Sequence, residues 1–313
     1  MNTKLGNASK TQNWGYFFVL PFIVVYALFS LYPTIYTLFL GFTDLRGFAR
    51  TINIVGGANF ARLVQDTFFW RALGNTFIMW MMNFSPQIGI ALILSIWLSD
   101  IRLNLKLKGP FRTIVYMPNL LTAASVALLF RSLFAFPVGP VNQLLVGVMG
   151  IVDPSTEGAW QFFRNPNVTR GIVAFIQWWM WYGHTIILLM AGITSISESL
   201  YEAAVVDGAN SRQISLYITL PLLKPIMLYI LVTSMIGGMQ MLEIPFLLTD
   251  MRGAPDFSIA TANVYMYNIA FQGVGDLSYA AAISIGMFVI TFTIAMFMFF
   301  FLQDRSDLKK GGH

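Results

Sequence analysis

The 313-residue chain is 57% hydrophobic and 11% charged, far below the roughly 25% charged residues of an ordinary soluble domain, which leaves a polytopic, all-α membrane protein as its class. With no cysteine and two histidines, His184 and His313, it has no means of forming a disulfide, a thiolate metal site or a histidine metal site. The net charge of +5 is scattered between apolar stretches, a juxtamembrane pattern and not a nucleic-acid surface.

A membrane-crossing helix needs roughly 20 apolar residues, and six stretches qualify: about 15–41, 72–98, 111–135, 170–194, 224–248 and 278–302. The first follows Lys4 and Lys10, is too long for a signal-peptide core and ends in no small-residue cleavage pattern, so it reads as a retained span. Pro21, Pro33, Pro86 and Pro245 fall inside spans, where neighbouring helices or cavities can satisfy the freed backbone groups. Trp14, Trp70, Trp97 and Tyr279 sit near span ends as interfacial anchors. Lysine and arginine are densest in the short loop 99–112, which the positive-inside rule places in the cytoplasm. Both tails (1–14 and 303–313) and the segment 195–223 then also lie inside. Residues 136–169, on the outside, are expected to hold a short amphipathic helix from Val141 to Ile151. No Gly-x-x-x-x-Gly-Lys-Ser/Thr run occurs, so the chain carries no nucleotide engine of its own.

The segment 195–223 is a polar interlude between apolar spans. Glu202, Ala203 and Ala204 sit on a turn of strong helix formers. Asp207 precedes Gly208, where a positive φ is cheap, and Ala209 follows. From Ile214 to Leu220 apolar residues recur at helical spacing, and Pro221 is expected to end the run.

Glu202-Ala-Ala-x-x-Asp-Gly-Ala209, followed by Ile218-Thr-Leu-Pro221, resembles the coupling motif of ABC-importer permeases. Leu247-Leu-Thr249, Gly253-Ala-Pro255, Tyr265-x-Tyr267-x-x-Ala-Phe271 and Tyr279-Ala-Ala-Ala-Ile-Ser284 are similar to the carbohydrate-uptake branch. The long first span favours the larger maltose-permease type, without its extra external domain. Where that family often has a glycine triplet before the proline, this chain reads Asp250-Met-Arg-Gly-Ala-Pro255. The resemblance implies a type I importer core over 72–302, a second related permease, two cytoplasmic ATPase subunits that bind ATP and Mg, and an extracytoplasmic solute-binding protein. It implies that Glu202, Ala203, Ala204, Asp207, Gly208, Ala209, Leu220 and Pro221 dock on the ATPase, and that this chain has no catalytic residue or cofactor of its own.

Polar and aromatic groups within spans are costly and therefore informative. Gln177, Trp181 and His184 fall at i, i+4 and i+7 on one helix face. Ser234, Gly238 and Met241 share another face, with Gln240 and Glu243 adjacent. Aromatic faces suit the C–H surfaces of a sugar, and the polar groups suit its hydroxyls. Both sets align with residues that line the sugar site of the maltose-type permeases. A lone histidine also serves as a packing residue, and Gly237-Gly238 also permits close helix approach. Glycerol phosphate or a polyamine is an alternative cargo, although a phosphorylated one calls for arginine or lysine within the spans, and their interiors lack them. An ion-coupled secondary transporter or intramembrane enzyme would bring paired carboxylates, an inverted repeat or a metal-ligand set.

Overall fold

A computed structural model describes residues 8–47, 51–99, 108–153, 158–273 and 275–302, which are overwhelmingly helical. In chain order the α-helices are α1 (Ala8–Tyr26), α2 (Tyr32–Leu40), α3 (Ala58–Gln65), α4 (Thr67–Ser99), α5 (Lys108–Tyr116), α6 (Ala123–Leu133), α7 (Pro140–Asn142) and α8 (Pro166–Thr194). They continue with α9 (Glu198–Val206), α10 (Ser211–Ile214), α11 (Leu220–Leu222), α12 (Lys224–Met239), α13 (Glu243–Leu248), α14 (Ala262–Phe271) and α15 (Leu277–Leu302). Among the described residues five helical stretches are long and apolar enough to cross a bilayer, or six if a bent pair counts as one.

That pair is the third expected span, 111–135, which is not one straight helix. It bends by 89° between Gly109–Leu120 and Ala123–Leu133. Pro118 sits in a 3₁₀ turn, Met117–Leu120, and Thr122 restarts the helix as its N-cap, accepting from the Ser125 N–H. The fifth expected span, 224–248, is likewise interrupted at residues 240–242. Pro221 does not end its run: a π turn, Ser215–Thr219, leads directly into α11, and such a bulge relieves the proline's missing N–H. The expected helix from Val141 to Ile151 is α7 plus a π turn ending at Val148, closed by Gly150 at φ 69°.

The chain divides into two compact units. The first holds residues up to 65 together with 269–286. In it a π turn, Ala27–Leu31, joins α1 to α2 just before Pro33. The Gly15–Leu40 span is apolar all round and unburied, as befits a helix in lipid or against another chain. Asp276 organises the rest. It receives Arg62 at 2.9 Å and Arg46 at 3.5 Å and accepts from the Tyr279 N–H at the start of α15. The Arg62 guanidinium lies 3.7 Å from the centre of the Tyr279 ring, and Thr43 and Ser278 share a buried hydroxyl pair at 2.8 Å.

The second unit holds 66–268 and residues from 287 on. Helices α4 and α8 pack along each other, and α6 packs on α13. Met79, Ile176, Ile244, Leu248 and Ile259 form the centre of its core. Gly183 is required by close approach, since a Cβ there would lie 2.0 Å from the Val115 carbonyl oxygen of α5; small residues are what allow membrane helices to meet this closely.

Candidate functional site

A cavity of about 430 Å³ opens within the second unit, among α4, α8, α12 and the start of α13, a volume within the roughly 300–1,000 Å³ usual for small-molecule sites. All seven residues singled out from the two spans line it: Gln177, Trp181 and His184 from α8, and Ser234, Gly238, Met241 and Glu243 from the interrupted span. Gln240, Tyr229 and Thr233 join them, and α4 contributes Trp80, Asn83 and Gln87. The α4 wall was missed from the sequence, yet it had a signal. Asn83 and Gln87 stand one helical turn apart in an apolar span, and both are buried.

The polar groups divide into two kinds. Some are tied to protein: Gln87 Nε2 donates to Thr185 Oγ1 at 2.7 Å, Asn83 Nδ2 to the Met79 carbonyl at 3.2 Å, and Trp80 Nε1 to Ser234 Oγ at 3.2 Å. Others face the cavity uncommitted. Among the described residues, the side chains of Gln177, His184, Gln240 and Glu243 make no hydrogen bond or ion pair. The wall therefore presents donors and acceptors ready for a polar guest, which in a membrane are costly to leave unmade.

The aromatic groups are set by packing. Trp181 meets His184 edge-on, with centroids 5.9 Å apart, and remains 47% exposed. Tyr116 lies tilted to the imidazole with centroids 6.5 Å apart, brought close by the glycine contact at Gly183. Gly238 serves the cavity through its missing side chain: a Cβ would lie 2.4 Å from Trp80 Cδ1. Trp80 in turn stacks on Phe84 at 5.4 Å. Glu243 is the one carboxylate among the lining residues, and no lysine or arginine is among them.

Helix α8 runs from this cavity to the 195–223 segment. Glu202 and Ala203 are exposed on α9, while Ala204 is buried beneath them. Asp207 closes α9, and Gly208 takes φ 79° with open space where a Cβ would project, nothing lying within 4 Å. Asn210 then caps α10 in a reciprocal box with Gln213, at 2.8 and 2.9 Å. Asp207, Gly208 and Ala209 line a shallow groove of about 260 Å³ with Gln213, Tyr217 and Ile218. On the other side of α9, Glu202, Tyr201 and Val205 line a groove of about 620 Å³ with Ile193 and Thr194 from the end of α8. Pro221 is exposed and Leu220 half-buried at the end of the segment, outside both grooves. Val206 and Tyr217 are 87% and 78% exposed, so an apolar and acidic surface without a partner of its own surrounds the glycine turn. Among the described residues Glu202 has no hydrogen bond or ion pair.

A family model described as the binding-protein-dependent transport system inner membrane component matches residues 87–307, more than half of the chain. The chain is 31% identical over 291 residues to a lactose transport system permease protein of Rhizobium radiobacter, covering 93% of this chain and 94% of the relative. It is 29% identical over 283 residues to an arabinooligosaccharides transport system permease protein of Halalkalibacterium halodurans, covering 90% and 85%. Its fold is similar, at TM-score 0.76 and 24% identity over 95% of this chain and 96% of the other, to a chain of a bacterial alginate ABC transporter solved with an alginate pentasaccharide-bound periplasmic protein.

Proposed function

The chain belongs to the family of binding-protein-dependent transport system inner-membrane components, and from that premise we propose that it is the permease subunit of an ATP-driven importer of a neutral sugar or oligosaccharide. The observation that carries the cargo class is the cavity. Uncommitted Gln177, His184, Gln240 and Glu243 meet a half-exposed Trp181 there, with no lysine or arginine. Trp181 offers a flat apolar face to sugar C–H groups. The glutamine, histidine and carboxylate side chains replace the water that sugar hydroxyls give up, so desolvation is matched by new hydrogen bonds. A phosphorylated cargo would find no lysine or arginine among the residues that line the cavity. The relatives named for lactose and arabinooligosaccharides support the same reading.

In this reading the solute-binding protein delivers cargo to the face opposite the 195–223 segment, and a second permease closes the other half of the path. The basic loop 99–112 supports a cytoplasmic position for the segment 195–223 and both termini in this reading. There Glu202 pairs with a basic residue of a cytoplasmic ATPase, Gly208 makes the turn that presents α9, and Ala203 and Ala209 allow close approach. ATP, with Mg, is bound and hydrolysed by the ATPase pair. Its closure moves the α9–α11 segment, and α8 carries that motion to the cavity, which opens to alternate sides. The direct test is uptake of labelled lactose and arabinotriose by the assembled importer carrying Trp181→Ala or Glu243→Ala. Each should raise KM by about tenfold, the cost of one charge-assisted hydrogen bond or a lost stacking face. Unchanged KM and specificity in both variants would sink the site.

A further inference from the structure

Helix α12 stops at Met239 and the chain becomes helical again at Glu243. Had the helix run on, the Met241 carbonyl would accept from the N–H of residue 245. Residue 245 is proline and has none. The orphaned carbonyl is reached instead by the hydroxyl of Thr261, at 2.7 Å, from a residue wholly buried against the core. The same hydroxyl accepts from the Val264 N–H in the first turn of α14 at 3.1 Å. Donor and acceptor are both used, on two different elements, so the side chain has one orientation to choose.

Thr261 ends a loop that is itself held tightly. Asn75 of α4 donates to the carbonyls of Phe257 at 2.7 Å and Ala260 at 3.3 Å. Arg170 of α8 donates to the Ser258 carbonyl at 2.9 Å and to Asn75 Oδ1 at 2.7 Å. Arg71 grips the Asp256 carbonyl at 2.6 Å. The backbone passes through the left-handed region at Met251, ahead of these holds, and at Asp256 and Phe257, where they begin, with φ of 67°, 47° and 55°, conformations uncommon for residues other than glycine and sustained by their surroundings.

We propose that Thr261 is a positioning residue for the cavity. It fixes the interrupted turn at 240–242, and with it Met241 and Glu243, and makes the conformation of the 250–261 loop felt at the cavity wall. The functional consequence rests on the reading of that cavity as the cargo path, whereas the mechanical link does not.

The chain has no cysteine, so Gln240→Cys gives a single thiol on the cavity wall. Its rate of modification by a water-soluble methanethiosulfonate reagent is measured in membranes holding the full chain and its partner subunits. Thr261→Val should change that rate about fivefold, the weight of one buried hydrogen bond, while Thr261→Ser keeps the parent rate. Pro245→Ala restores an N–H to residue 245, and in that background Thr261→Val should have little effect; this pair also decides the matter if Thr261→Val alone fails to accumulate. Equal rates for Thr261→Val and Thr261→Ser, or an undiminished effect with Pro245→Ala, would overturn the proposal. Uptake of labelled lactose should show a raised KM in Thr261→Val with kcat nearly unchanged, and recovery in Thr261→Ser. If the parent takes up no saccharide, the transport reading fails, and the thiol comparison still decides the positioning role.

Discussion

Alanine at position 238 is the sharpest structural probe of the cavity. Its Cβ would fall 2.4 Å from Trp80 Cδ1 and 2.8 Å from Cγ, separations that no methyl group tolerates. The atoms in the way are the rigid indole ring, so Trp80 must swing or the helices must part. Overpacking of this kind costs about 1–3 kcal/mol. Displacing the indole also loosens its bond to Ser234 at 3.2 Å and its stack on Phe84, about 0.5–1.5 kcal/mol more for the hydrogen bond. Alanine gains about 1 kcal/mol over glycine in a helix, which leaves Gly238→Ala destabilised by about 0.5–3.5 kcal/mol. Gly237, one residue earlier on the same helix, has nothing within 4 Å of its Cβ position, so Gly237→Ala keeps only the helix gain. Thermal unfolding of the purified, detergent-solubilised chain should separate the two, Gly238→Ala melting lower and Gly237→Ala at or above the parent. Because Trp80 and Ser234 line the cavity, uptake should also show a higher KM for Gly238→Ala. Equal melting of the two variants, or a Gly238→Ala protein as stable as its parent, would refute the packing argument.

Glu202→Lys should leave the chain's own melting temperature unchanged, since the carboxylate is exposed and binds nothing in the described structure, but should abolish co-purification with the ATPase; retention of the ATPase would contradict the coupling role. Gly208→Ala has room for its methyl group yet must hold φ 79°, so its cost, about 1–2 kcal/mol, comes from the backbone alone. It should appear as weakened ATPase assembly, and Gly208→Asn should be milder. At Asp250, burial acts to raise the pKa, but the backbone N–H groups of Ala254 and Arg252, both bonded at 3.0 Å, outweigh it and hold the value below the usual 3.8. Because the folded-state pKa is depressed, the stabilisation is complete above the ordinary aspartate range and is lost only as pH falls through the lowered value. Amide-exchange protection at Arg252 and Ala254 should therefore be constant from neutral to mildly acidic pH and fall only in stronger acid. Asp250→Ala should show the low protection already at neutral pH.

The features legible in the sequence were those with local causes. Gly208 announced its turn because only glycine takes that φ cheaply. Gln177, Trp181 and His184 were found because helical spacing puts them on one face of α8, and that face does line the cavity. The α4 wall escaped because a span apolar nearly all round does not declare which face is inward, although Asn83 and Gln87 marked it. The 89° bend after α5 was hidden in a stretch whose apolar content alone suffices for a span; Pro118 and Thr122 give its cause only once the turn is seen. Pro245 was recognised as a break, but the gap opens three to five residues earlier, at 240–242, because the missing N–H is felt at the carbonyl four residues back. Thr261 left no local mark at all, since its partner Met241 lies 20 residues away.

The central claim is tested most directly by accumulation of labelled lactose or arabinotriose in proteoliposomes holding this chain with its second permease and ATPase, the solute-binding protein added on the opposite side. Accumulation should require ATP on the ATPase side, should require the binding protein, and should disappear with Glu202→Lys. Saccharide entry that is independent of ATP and of the binding protein, or that survives Glu202→Lys undiminished, would contradict it.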